Sequence, residues 1–287
     1  MKWVKKFQAL SNLCASCSGV LALLATFVLV GSQNAYADLV SAPSEHRMAL
    51  VIENSDYRGS IPTFPEADGK AVAEKLRSLG VEVELKLDLD KNALQEAVAA
   101  FRQKIISARA DASTSVTAVF YFSGVGAIPV SSGEDVLVAI PKAGADLFPD
   151  SGVPLQWVVD QLGVASQSVL LLDMSRSFFR DGAENQEFSV RSLALPRNML
   201  IAYSSATGEL AGINMATKVS YFSESLIRAL ERRRVPIQQL LPGIASEVMD
   251  GTSTPQHPEW RSTLEQDVFL SNQNLKFVRE ILPNRPR

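Results

Sequence analysis

Two stretches of this chain are apolar almost throughout and then turn polar at once. Residues 116–122 read Val-Thr-Ala-Val-Phe-Tyr-Phe and run into Ser-Gly-Val-Gly; residues 168–172 read Ser-Val-Leu-Leu-Leu and run into Asp-Met-Ser-Arg. Runs of this form predict buried central strands, and the carboxyl end of such a strand in an open α/β sheet is where ligands and chemistry collect. A further apolar run at 47–52 predicts another buried strand, and residues 81–87 alternate into a fourth. Between these two, Ala71, Val72, Leu76 and Leu79 recur at helical spacing behind the acids Glu66 and Asp68, and Gly80 closes the helix. Asn92 and Gln95 stand in capping-box spacing ahead of a helix that runs to about Ser107. Helices are also predicted over 155–162, 221–230 and 237–249, whereas 177–197 is polar and poorly periodic. Strands alternating with helices in this way describe an α/β protein.

A length of 287 residues without excess Gly or Pro accommodates one large α/β domain or two small ones. Residues 1–37 follow another pattern: Lys2, Lys5 and Lys6, then an apolar core over 19–30, then Ala35-Tyr36-Ala37. That order predicts a secretory signal peptide cut before Asp38, hence an exported protein, periplasmic or extracellular, with no stable membrane span after cleavage. A retained anchor is the alternative, because weakly apolar residues extend the core back to Leu13. The uninterrupted part, however, is short for about 30 Å of hydrocarbon. Both cysteines, Cys14 and Cys17, lie in this segment, so the mature chain of 250 residues has no thiol, no disulfide and no Cys-based metal site. Cleavage removes three lysines and no acid, taking the formal charge from −3 to −6, which offers no electrostatic case for nucleic-acid binding.

Other candidate chemistry is thin. Asp88, Asp90 and Asn92 suggest a calcium loop until its sixth and twelfth positions are read, where Ala93 and Ala99 replace Gly and Glu; they are read as turn and cap residues. Ser-Gly-Val-Gly lacks the further Gly, Lys or Thr of a phosphate loop. No cofactor or metal is expected. Arg232, Arg233 and Arg234 end a predicted helix and read as partners of its negative dipole end on a solvated face, with an anionic partner as the alternative.

The two strand ends, Ser123-Gly124-Val125-Gly126 and Asp173-Met174-Ser175-Arg176, stand 50 residues apart. They resemble the paired strand ends of caspases, metacaspases and their bacterial relatives, in which Ser-Gly-His-Gly carries the catalytic histidine and Asp-Ala-Cys-Arg, or similar, the nucleophile about 50 residues later. The resemblance extends to Arg47-Met48-Ala49-Leu50-Val51-Ile52 with Asn54, Ser55 and Tyr57, where Glu53 replaces the family's usual Gly. It includes Asp68, the remaining member of an Asn-Asp pair. It continues through the short strand at 134–141, the strand and turn at 199–208, the helix at 221–230, and the closing Pro258 to Leu264 with a last strand at 267–270. It covers roughly residues 46–270 and implies a caspase-like three-layer α/β/α sandwich, an about six-stranded, mostly parallel sheet with helices on both faces. Residues 46–180 would be the large part, 181–198 the linker that is often a processing site in caspases, 199–270 the small part and 271–287 a tail.

Caspase-type proteolysis needs a thiol that ionises readily and an imidazole that moves protons near neutral pH. Val125 stands at the histidine position and Ser175 at the cysteine position, so the resemblance implies a pseudopeptidase. The candidate pocket is Asp173, which in metacaspases and many bacterial relatives helps to hold a basic substrate residue, with Ser123, Gly124, Gly126, Arg176 and Ser204 around it. The alternative for Asp173 is a strand-end carboxylate accepting backbone N–H groups, and Arg176 reads as an ion pair or surface position. The family's second acid falls near Gly212 to Asn214, where no acid stands, so recognition of basic peptides is expected to be weakened or lost. The expected partner is a peptide or protein, including an active caspase-like protease, held in the old cleft or at the sheet edge. Other readings are a hydrolase using Ser175, with His257 or Lys142 as base, and a scaffold that uses neither position.

Overall fold

The computed structural model describes residues 44–57, 67–111, 113–141, 151–180 and 189–271. The expected signal peptide with Cys14 and Cys17, Pro65, Glu66, Lys142, residues 181–188 of the expected linker and the tail beyond Ser271 lie outside the described residues. In chain order the elements are β1 (Ser44–Glu53), α1 (Asp68–Ser78), β2 (Glu82–Leu87), α2 (Lys91–Ala108), β3 (Thr114–Gly124), β4 (Gly126–Pro129), β5 (Val136–Val138), β6 (Gly152–Pro154), α3 (Leu155–Leu162), β7 (Gln167–Met174), β8 (Ser177–Phe179), β9 (Met199–Tyr203), β10 (Ile213–Asn214), β11 (Val219–Ser220), α4 (Tyr221–Ala229), α5 (Ile237–Gly251) and β12 (Glu259–Ser262).

A strand covered on both faces favours apolar residues at every position, and this accounts for the unbroken runs in β3 and β7. Ala118, Phe120 and Phe122 of β3 and Leu170, Leu172 and Met174 of β7 face a core shared with Leu94, Val98 and Phe101 of α2 and Leu155, Val158 and Leu162 of α3. The residues between them, Val119, Tyr121, Val169 and Leu171, face a second core with Val72 and Leu76 of α1, Phe222 and Leu226 of α4, and Leu241 and Ile244 of α5. The sheet order is β12-β9-β7-β3-β1-β2. The pairs β1–β2, β3–β7 and β7–β9 are parallel, and β12 lies antiparallel to β9 at one edge. A side sheet, β6-β5-β4-β8, continues from the end of β3. No helix among the described residues is long and apolar enough to cross a membrane.

Helix ends follow their capping chemistry, with one correction. After α1, Gly80 takes φ 86° and the N–H groups of Gly80 and Val81 reach back to the carbonyls of Arg77 and Leu76. Helix α2 does not start from Asn92 and Gln95: Asp90 is the cap, its Oδ1 accepting the Ala93 N–H at 2.9 Å. Asp90 sits in extended backbone just ahead of the first turn, where an N-cap must be, while Asn92 is already inside the helix and exposed. Asp88 is a turn residue at φ 50° whose Oδ1 accepts the N–H groups of Ser55 and Asp56.

The strand expected at 267–270 is not formed. Val268 and Leu270 are buried, as an alternating strand requires, but the backbone there bonds elsewhere. The Val268 carbonyl accepts from Ile237 at the start of α5, its N–H donates to the Gln238 side chain, and the Phe269 carbonyl accepts from the Arg47 guanidinium. The edge strand is β12, whose four side chains are all exposed and so carry no alternation to read. Likewise the strand expected over 134–141 narrows to β5. Asp90→Ala is expected to lower stability by about 1 kcal/mol and Asn92→Ala to stay within about 0.5 kcal/mol of the parent in urea unfolding. Equal losses would contradict this assignment of the cap.

Candidate functional site

The register of β3 on β7 sets Ser123 opposite Asp173 and Gly124 opposite Met174. Because side chains alternate along a strand, Ser123 and Asp173 project to the same face as Tyr121 and Leu171, the face covered by α1 and α4. Both helices begin there. Asp68 opens α1 and Ser220 caps α4, its hydroxyl accepting the Ser223 N–H at 2.9 Å. The Ser220 N–H donates to Asp68 Oδ1 at 2.8 Å, and its hydroxyl donates to Asp173 Oδ2. The Ser223 hydroxyl donates to the same Asp173 oxygen at 2.6 Å and accepts from Tyr121 at 2.6 Å. The Ser123 hydroxyl donates to Asp68 Oδ2 at 3.1 Å. One residue, Ser220, thus touches both carboxylates. They open on a small cavity of about 40 Å³ whose lining includes Ser123, Val125, Ser175 and Ser220.

Among the described residues, nothing basic lines this cavity. Asp173 is 3% exposed and Asp68 8%. Burial pushes the Asp68 carboxyl up to about 8, with the charge of Asp173 adding to the rise and the bonds from Ser220 and Ser123 opposing it. Burial raises Asp173 as well, against the hydroxyls of Ser220, Ser223, Ser204 and Tyr121. Two such groups titrate as a pair, and near neutral pH the pair retains a proton that two exposed aspartates would have lost.

The two changed positions are built into structure. Val125 joins an apolar cluster with Tyr57, Ala127, Val136, Val138 and Ile140. Its N–H donates to the Tyr57 hydroxyl at 2.8 Å, and that hydroxyl donates to the Val138 carbonyl at 3.0 Å. Gly124 permits this: it has φ 156°, and a Cβ there would stand 2.7 Å from the Tyr57 oxygen. A Cβ on Gly126 would run into the Ser175 carbonyl, so Gly126 lies against the end of β7 and outside the cavity. The Ser175 hydroxyl accepts the Ala211 N–H at 3.0 Å and fastens the 205–212 loop. His257 is bound to Glu209 instead, its Nδ1 at 2.7 Å from Oε1 and its N–H donating to Oε2. It does not line the cavity.

Of the predicted pocket residues, Ser123, Gly124 and Asp173 line the cavity, together with the two changed positions Val125 and Ser175; Ser204 meets Asp173 from outside the lining, and Gly126 and Arg176 lie outside it. Asp173 accepts from hydroxyls where backbone N–H groups were the alternative. Ser204 is buried between strand ends, its hydroxyl accepting the Met174 N–H at 3.0 Å. Arg176 is an ion pair but not a surface one: 5% exposed, it donates from Nε and Nη2 to the two oxygens of Asp135, each at 2.9 Å, and from Nη1 to Glu259 at 3.0 Å. Its guanidinium lies 4.1 Å from the Tyr203 ring centroid. Gly212 and Ile213 do line the cavity without an acid, but a second carboxylate, Asp68, lines it together with Asp173. The remaining Asp of the Asn-Asp pair was the available signal for it. Ser220, Ser223 and Asp135 had none, because their roles depend on which helix start or strand end they meet.

Among known families, the caspase domain (Peptidase C14) matches residues 46–269, and the chain belongs to that family. No curated protein matches it.

Two outcomes are expected. Arg176→Met leaves Asp135, 3% exposed, charged and unpaired, and should cost about 3–5 kcal/mol in urea unfolding, less when combined with Asp135→Leu. If the double variant is no better than the single one, the ion pair is not the source of the loss. Asp68 binds a proton in the fold up to about pH 8 and in the unfolded chain only through the ordinary aspartate range, so its contribution to stability falls as pH rises through that window. Asp68→Asn keeps an oxygen for Ser220 and removes the fall. The Tm of the variant relative to the parent should therefore rise between pH 5 and pH 8.5 in calorimetry, and a constant difference would contradict it.

Proposed function

From this family membership we propose that the protein is an exported caspase-domain protein without peptidase activity that binds a partner polypeptide by a cationic side chain held over Asp68 and Asp173. The observation that carries the reading is the cavity itself, which keeps two buried carboxylates and, among its lining residues, has neither thiol nor imidazole. Val125 has no titratable atom. A serine hydroxyl is a weak nucleophile until an adjacent base takes its proton, and Ser175 is engaged with Ala211. Losing either member of a nucleophile–base pair removes nearly all of its acceleration, and losing both is little worse, so the two replacements are consistent with each other.

The acids support binding. Carboxylates in low-dielectric surroundings attract a cation more strongly than the same groups in water, and a guanidinium can bond two oxygens at once. Two exposed apolar side chains adjoin lining residues in the chain: Leu210 precedes Ala211, and Met215 lies two residues after Ile213. These would contact residues flanking the cation, which favours a polypeptide over a free amine. The basic, apolar and small-residue order of residues 1–37 supports export.

The test is a mixed peptide library offered to the mature protein, with Ser175→Ala as control. No cleavage above background is expected from either, and arginine-bearing peptides should bind in fluorescence anisotropy with affinity about 10-fold or more weaker in Asp173→Asn, the loss of one charge-assisted contact. Cleavage that disappears in Ser175→Ala would overturn the proposal.

A further inference from the structure

A third carboxylate lies close to the pair and is used by nothing described so far. Glu53, at the end of β1, is 1% exposed, and neither of its oxygens makes a hydrogen bond of normal geometry. The N–H groups of Asp68, Gly69 and Lys70 in the first turn of α1 favour its charged form, as does the Lys70 charge, but burial outweighs them and raises its pKa. The site is made for this side chain: a Cβ on Gly69 would stand 2.7 Å from the Glu53 Cβ and 3.0 Å from its Oε2.

The charged and titratable groups facing the cluster are Glu53 from β1, Asp68 and Lys70 from α1, Tyr121 from β3 and Asp173 from β7. The hydroxyls of Ser123, Ser220 and Ser223 complete it. Tyr121 stays protonated, being raised further by burial and by the three acids. Three carboxylates therefore share one desolvated region with a single neighbouring cation, Lys70, which acts on Glu53. Like charges so placed do not all ionise near neutral pH. A cation entering the cavity supplies the missing countercharge, and full ionisation of the pair then becomes favourable.

We propose that the pocket takes its cation in exchange for a proton released to solvent, and that Glu53, buried outside the cavity wall, sets the pH at which the exchange operates. This rests on the reading of the cavity as a cation site. Because binding and proton release are linked, affinity must rise with pH until the free pocket has lost its proton and then level off. Removing the Glu53 charge relieves the repulsion on Asp68 and moves that levelling to lower pH.

The experiment is calorimetric titration of the mature chain with N-acetyl-arginine methylamide, whose charge is constant between pH 5 and pH 9, using buffers of different ionisation enthalpy. The norleucine analogue serves as the neutral control. Below the transition, Kd should fall about tenfold per pH unit with about one proton released per ligand, and both dependences should vanish above it. In Glu53→Gln the transition should lie lower, with binding at pH 6 about threefold or more tighter. Glu53→Gly serves if the Gln variant does not fold. Binding with constant Kd and no proton release would overturn the exchange and leave the cation site standing; no binding at any pH would overturn both. A pH profile identical in parent and folded variant would overturn the role of Glu53.

Discussion

A desolvated carboxylate must find hydrogen bonds, a countercharge or a proton, and the carboxyl end of the central sheet is arranged around that requirement. Asp173 stands at the end of a strand covered on both faces, which places its charge where water is excluded. The first turns of α1 and α4 are brought to it, and Ser220 caps one helix while bonding both acids. Helix starts offer free N–H groups and a positive dipole end, so these two helices partly compensate what burial costs. Compensation is incomplete, because the raised Asp68 signals a pocket short of positive charge. On the proposed reading, a bound cation would make that shortage good.

The same strand end solves the opposite problem three residues further on. Arg176 is as buried as the acids but fully matched, with Asp135 as a two-point partner, Glu259 outside and Tyr203 beneath. It ties β7 to β12 and to the approach to β5, and so holds the framework on which the pocket is built. A matched ion and an unmatched pair thus stand side by side: the first has its hydrogen-bonding capacity filled by protein groups, and the second is where the proposed cation would sit.

Much of the fold was legible because its central strands are buried on both faces and its helices are amphipathic. Residues 168–172 and 116–122 needed no context to be read as β7 and β3. What failed did so for local reasons. β12 is exposed on every residue, and Val268 and Leu270 alternate like a strand while their backbone serves α5 and Arg47. At the site, Asp173 and Ser123 could be read from their motifs, whereas the meaning of Asp68 depended on where α1 begins in space. Glu53 was visible as a departure from the family's Gly but not as an acid, since its effect depends on Gly69 making room for it. Val125 and Ser175 carry neither thiol nor imidazole, which the sequence states directly. That they are occupied in structural contacts, with Tyr57 and Ala211, emerges only when the loops around them are placed.

The most direct test is carboxyl-carbon NMR of the mature protein labelled in aspartate, with Asp68→Asn and Asp173→Asn for assignment, recorded near pH 6 with and without an arginine-bearing peptide. The account predicts that in the free protein the pair shows a resonance shifted toward the protonated form, and that the peptide converts it to two carboxylates while being recovered intact. Two fully ionised aspartates in the free protein, or an unchanged pair in the presence of bound peptide, would contradict it.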